Sequence, residues 1–148
     1  MTTKGAFQTS VVVYLAGGFH SRWQDIVRAR LPNLEILDPS EHNLENPEEY
    51  TAWDLAAVRR SDVLFGNMEA SNPGGYALAL EIGYAKALGK RIYLVDGLVD
   101  QKTRRHFEMV RQCADLTFHD LESAIVALGV EAGCMPPTKG RPVPPDFA

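Results

Sequence analysis

Short apolar, β-branched runs alternate along this chain with longer stretches bounded by helix start and stop signals. Residues 10–15 (SVVVYL) read as a first strand that ends at Gly17-Gly18. Ser21-x-x-Gln24 resembles a capping box, which predicts a helix to about Arg30, ended by Pro32. Residues 34–37 form a short second strand and residues 38–46 a loop. Asn46-Pro47 with Glu49 is a strong helix start, by cap and by proline at the first position, and that helix runs to about Arg60. Residues 63–67 are a third strand. A helix follows Gly75 and stops at Gly89, and residues 91–95 (RIYLV) are a fourth strand. Residues 101–112 are helical, 115–118 a short fifth strand, and 121–128 a last helix. From Gly133 the chain holds Pro136, Pro137, Pro142, Pro144 and Pro145, so an extended arm is expected over 133–148, after a single domain over 1–132.

Alternating strands and helices imply an α/β fold: a parallel sheet with helices on both faces. Five strands fit a flavodoxin-like order, 2-1-3-4-5. In such a sheet the ligand crevice lies beyond the carboxyl ends of strands 1 and 3, where the winding reverses. Those ends are Ala16-Gly17-Gly18-Phe19-His20 and Met68-Glu69-Ala70-Ser71-Asn72. The second continues through Pro73, Gly74 and Gly75, and glycines there allow a ligand close to the backbone.

Glu81 stands out against this pattern. It lies on the helix after strand 3, and its neighbours three and four positions away are Ala77, Leu78, Tyr84 and Ala85. None is a cation, and an ionised carboxylate is costly on an apolar helix face without donors. Either it is solvated at a rim, or it sits in a cleft for chemistry. Tyr14 is the last large residue of the first strand. It is either a core tyrosine whose hydroxyl reaches solvent or a donor to a carboxylate such as Glu81. Asp54 interrupts an apolar stretch in the same way, as an exposed residue or a functional one. Asp62 is expected to anchor the turn before strand 3 together with Ser61.

Composition narrows the classes. The 148 residues are 45% hydrophobic and 23% charged, as in a single globular domain. A net charge of −4 argues against a binder of long nucleic acid. The two cysteines, Cys113 and Cys134, have neither metal-like nor disulfide-framework spacing and read as free thiols. Residues 1–8 lack the pattern of a signal peptide and nothing approaches a membrane span, so a cytoplasmic location is expected. Gly17-Gly18 fails the dinucleotide spacing, there is no phosphate loop, and the first strand lacks the acidic pair that would hold magnesium. His20, His42, His106 and His119 show no ligand spacing. No metal or cofactor is implied.

Three segments together resemble the nucleoside 2-deoxyribosyltransferase-like family over about residues 11–128. They are residues 13–19 (VYLAGGF), the run Asp54-Leu-x-x-Val58-x-x-Ser61-Asp62, and residues 81–90 (EIGYAKALGK). The resemblance implies that Glu81 attacks the anomeric carbon of a nucleoside and forms a covalent ribosyl ester, which passes to another base or to water. Tyr14 would orient Glu81, and Asp54 would bind a sugar hydroxyl or assist protonation at the base. An anion beside an oxocarbenium-like transition state suits that chemistry.

One departure matters. The family's transferases usually carry an aspartate six residues before the nucleophile, and here that position is Gly75. Nucleotide N-glycosidases of the same superfamily also lack it and hold a 5′-phosphate. His20, Ser21 and Arg22, at the start of the first helix, would suit such an anion. Residues 73–76 (PGGY) followed by Glu81 also partly resemble the motif of LOG-type phosphoribohydrolases. The implied binding set is therefore Gly17, Gly18, Phe19, His20, Ser21, Arg22, Asn72, Gly74 and Gly75, with Asp115 supplied by a neighbouring subunit of a homodimer or larger assembly. The expected partner is a small-molecule nucleoside or nucleotide, with no membrane partner. A non-catalytic nucleotide-binding module is the alternative from another class.

Overall fold

The computed structural model describes residues 11–72 and 75–136. Five parallel strands form one sheet: β1 (Val12–Gly17), β2 (Glu35–Leu37), β3 (Val63–Met68), β4 (Arg91–Asp96) and β5 (Leu116–Phe118). Their order is β2-β1-β3-β4-β5, as the flavodoxin-like reading expects. Tyr14 pairs with Leu37 on one side and Leu64 on the other, so β1 is central. The helices are α1 (Trp23–Arg30), α2 (Pro47–Arg60), α3 (Tyr76–Ala87), α4 (Gln101–His106), α5 (Glu108–Gln112) and α6 (Leu121–Glu131).

Side chains alternate across each strand and divide the core in two. Val13, Leu15, Phe65, Tyr93 and Phe118 face α1 and α6. On that side four rings cross the sheet. Trp23 stacks on Phe65 at 6.0 Å, Phe65 on Tyr93 at 6.4 Å, and Tyr93 on Phe118 at 5.9 Å. Tyr14, Ala16, Leu64, Met68, Ile92 and Leu94 face the other way, against Val58, Leu78, Ile82 and Phe107. Every residue of β3 is buried, as a strand covered on both faces requires.

Two aspartates repeat one device at the amino ends of the strands. Asp62 sits just before β3, and its carboxylate accepts from Val12 N of β1 at 2.9 Å. Asp115 sits just before β5, and its carboxylate accepts from Ile92 N of β4 at 2.7 Å. Each ties the start of one strand to its neighbour.

The structure departs from the sequence reading in four places. The capping box at Ser21 does not form. Arg22 holds the N-cap position of α1 with a left-handed backbone, φ 58°, and makes no side-chain cap. Gln24, which would complete the box, is drawn inward, where Nε2 donates to Gly18 O at 3.0 Å beside Trp23 Nε1 at 2.9 Å. The loop after β2 contains a short 3-10 turn, Pro39–Glu41, capped by Asp38. Residues 101–112 form two helices rather than one, and they meet at Phe107, whose ring is buried and whose N–H still reaches Thr103 O at 3.2 Å. The last helix runs to Glu131, and Cys134 and Met135 then fold back with their N–H groups on Gly129 O. The chain thus stays on the core past Gly133, and the proline-rich arm from Pro137 lies outside the described residues. Among the described residues no helix is long and apolar enough to cross a membrane.

The aromatic ladder supplies a stability test. Phe65 is wholly buried between Trp23 and Tyr93. Phe65→Ala is expected to cost about 3–5 kcal/mol, read by urea or guanidinium unfolding. A cost below about 1 kcal/mol would show that the ladder does not hold the sheet.

Candidate active site

Strand parity sends Tyr14 to the α2/α3 side of the sheet, and helical geometry brings Glu81 of α3 to meet it. The Tyr14 hydroxyl donates to Glu81 Oε2. Tyr14 is fully enclosed and Glu81 is 7% exposed. Burial pushes the Glu81 carboxyl up to about 7, the Tyr14 bond pulls it down, and the charge of Asp54 pushes it up again. The Tyr14 phenol is held far above its ordinary range, first by burial and then by Glu81, so it stays a donor.

Asp54 stands across from this pair on α2. Burial raises its carboxyl above the usual range, and His42 lowers it. His42 Nε2 lies 3.1 Å from Asp54 Oδ1, and His42 Nδ1 accepts from Leu44 N at 3.0 Å. The second bond leaves Nδ1 without a proton, so Nε2 carries it and donates to Asp54. The Trp53 ring meets the imidazole edge-on at 4.7 Å. His42 was passed over in the sequence for want of a ligand spacing. Its place in the loop after β2, at the carboxyl edge of the sheet, was the usable signal.

Two loops close the crevice. A Cβ on Gly17 would lie 2.6 Å from Asn67 O of β3, and its φ of 147° is one that side chains rarely adopt. Gly17 therefore lets β1 turn out of the sheet against β3. Gly18 lies beside the Asn72 side chain, which joins the loops after β1 and β3. Phe19 is 49% exposed, and His20, Ser21 and Arg22 are exposed around the start of α1. No side chain caps α1, and Asp25 N turns back to Arg22 O at 3.1 Å. The Arg22 guanidinium pairs with Asp25 at 2.9 Å. Gly75 caps α3 with φ 60°, and a Cβ there would lie 2.9 Å from Met68 Sδ. Gly74 lies outside the described residues. Asp115 is at the opposite, amino end of the strands and does not reach its own chain's crevice. Among the described residues no three His, Cys, Asp or Glu side chains are grouped to hold a metal ion.

The sheet order and the helices around it are those of a nucleoside 2-deoxyribosyltransferase-like fold. Solved structures agree. The 2-deoxyribosyltransferase of Leishmania mexicana matches with TM-score 0.64 and 20% identity over 82% of this chain and 97% of its own. That of Bacillus psychrosaccharolyticus matches with TM-score 0.60 and 21% identity over 78% and 90%. The CMP N-glycosidase of Clostridium botulinum matches with TM-score 0.54 and 19% identity over 80% and 98%. No protein-family model matches the chain, and no curated protein does.

The buried carboxylate has a measurable cost. Its folded pKa, about 7, lies above the unfolded value of 4.5, so the folded state binds the proton more tightly. Stability therefore falls as pH rises from about 4.5 to 7 and is lowest above that window. The loss is on the order of 3 kcal/mol, the equivalent of that rise in pKa. Glu81→Gln is expected to remove the dependence and to melt above the wild type at pH 8. Equal melting temperatures at pH 8 would show that Glu81 is not held at a cost.

Proposed function

We propose that the protein cleaves or exchanges the N-glycosidic bond of a nucleoside, a 2-deoxynucleoside or their 5′-monophosphates, with Glu81 as nucleophile. The observation that carries this reading is the buried Tyr14–Glu81 bond at the carboxyl end of the sheet, near enough to Asp54 for its charge to act on Glu81. Two of the structural neighbours are named as 2-deoxyribosyltransferases and the third as a CMP N-glycosidase.

In the proposed first step a Glu81 oxygen bonds to the anomeric carbon as the carbon–nitrogen bond breaks. The bond's electron pair leaves on the base. As charge moves onto the base nitrogen, a proton from solvent, or relayed through Asp54, neutralises it. Positive charge spreads over the ring oxygen and anomeric carbon, and the Glu81 anion stabilises it. The Tyr14 donor keeps one Glu81 oxygen engaged and presents the other. In the second step water or a second base attacks the same carbon. The ester carbon–oxygen bond breaks, Glu81 leaves as carboxylate, and the attacking group sheds its proton. Two displacements retain the configuration of the sugar.

The 5′-monophosphate branch is supported by the uncapped start of α1 beside Ser21 and Arg22, and by a glycine where an aspartate would engage the base. A panel of nucleosides and 5′-monophosphates, scored for free base with and without an added acceptor base, separates hydrolysis from exchange. Trapping with a 2-fluoro-arabinosyl nucleoside should add the mass of the fluorosugar at Glu81. Nucleotide binding with neither adduct nor base release would sink the reading in favour of a binding module.

Glu81 must be ionised to attack, so kcat/KM for base release is expected to fall tenfold per pH unit below about 7. Glu81→Gln should lose roughly a thousandfold or more in kcat. Asp54→Asn should lose about a hundredfold or more. A flat pH profile between 5 and 8 would rule Glu81 out as the titrating nucleophile.

A further inference from the structure

Residues 38–46 carry the chain from β2, at the edge of the sheet, to α2, and take it from one face to the other. α1 packs on the aromatic-ladder face through Trp23 and Val27, and α2 on the Glu81 face through Ala57 and Val58. His42 lies midway along this crossing and reaches Asp54. An imidazole has two distinct nitrogens, and a loose turn would present either of them. The turn must therefore be held.

Arg28 of α1 holds it, with one guanidinium against three carboxylates. Nε lies 3.1 Å from Asp38 Oδ2, Nη1 lies 3.0 Å from Glu41 Oε1, and Nη2 pairs with Asp25. The Asp38 side chain is fully enclosed, and among the described residues Arg28 is the one cation paired with it. The other oxygen of Asp38 accepts from Ser40 N at 2.9 Å and from Ser40 Oγ at 2.6 Å. Asp38 and Glu41 thus bracket the 3-10 turn Pro39–Glu41, and Arg28 grips both ends of it. Beyond His42 the backbone bends back. Asn43 is left-handed, with φ 55°, and its Nδ2 donates to Glu41 O at 3.2 Å. His42 sits between the gripped turn and that bend, with Leu44 N on Nδ1 and Asp54 on Nε2.

A buried ion pair contributes little net stability over apolar packing. What the fork adds is register, since a planar guanidinium meets two acids at one fixed spacing.

We propose that Arg28 is a positioning residue of the site: from the opposite face of the sheet it fixes the turn after β2, and through that turn it holds His42 with Nε2–H on Asp54. One Asp54 oxygen is then committed to the histidine, and the other is left for substrate. The consequence for catalysis rests on the role proposed for Asp54, whereas the hold on His42 does not.

Nitrogen-15 shifts of the His42 ring, read at pH 8 on the full chain without ligand, test the hold. The wild type is expected to show one tautomer, protonated at Nε2. Arg28→Gln should move both ring nitrogens toward the average of the two tautomers. Glu41→Gln, at the exposed end of the clasp, should move them the same way by less, and it decides the matter where Arg28→Gln does not fold. Arg30→Gln removes an exposed ion pair to Glu122 on the same helix and should move neither nitrogen. In base release, Arg28→Gln should lower kcat/KM about tenfold, and Arg28→Lys, which keeps the charge, should lose less. In a His42→Ala background Arg28→Gln should cost no more than about twofold, because the ring it acts through is gone. Ring shifts unchanged in both Arg28→Gln and Glu41→Gln overturn the proposal, with or without activity. Losses that multiply in the double variant overturn the path through His42.

Discussion

A carboxylate in the middle of an apolar helix needs a donor, and Tyr14 is the donor of Glu81. Much of the molecule follows from bringing those two groups together. Glu81 comes from α3 and Tyr14 from β1, 67 positions earlier in the chain. They meet only if β1 lies inside the sheet beside β3 and sends Tyr14 to the side that α3 covers. The order β2-β1-β3-β4-β5 places β1 next to β3, and α3 follows β3 directly. The same parity sends Val13 and Leu15 to the aromatic ladder, so the two sides of β1 have separate tasks. One side holds the fold and the other holds the charge.

Around that pair the electrostatics are poised. Burial alone would leave Glu81 protonated at neutral pH, and Tyr14 alone would leave it ionised. Asp54 tips the balance upward, and His42 keeps Asp54 from rising further. The histidine is in turn fixed by the backbone of Leu44. Four side chains and one amide thus set where a single proton resides. This arrangement costs stability and offers reactivity, as sites that hold perturbed groups commonly do.

The sequence revealed the strands well, because parallel strands buried on both faces show as apolar runs. It revealed the order of the sheet through the alternation of elements, and Glu81 through its lack of a cation at helical spacing. Tyr14 stood out as a polar tip on an aliphatic strand. The rest depended on contacts distant in sequence. The place of His42 after β2 points to the carboxyl edge of the sheet, but its contact with Asp54 requires α2 to be docked first. Ser21 had the right spacing for a cap, but the loop spent Gln24 on Gly18. Phe107 marks the join of two short helices that local propensity reads as one, and its ring is buried while its backbone still bonds to Thr103 and Arg111. Asp115 attracted attention as an acid beside a strand, yet in its own chain it does for β4 what Asp62 does for β1.

Gly75 is bound to one particular core residue. Its backbone is left-handed, and the sulfur of Met68 fills the space where a side chain would start. Placing any side chain here is therefore not a single step. Met68 must first give up its volume, and Met68 belongs to the core that seats α3. A smaller residue at 68 alone leaves a cavity beneath α3, and a side chain at 75 alone meets the methionine, so the two positions can change only together.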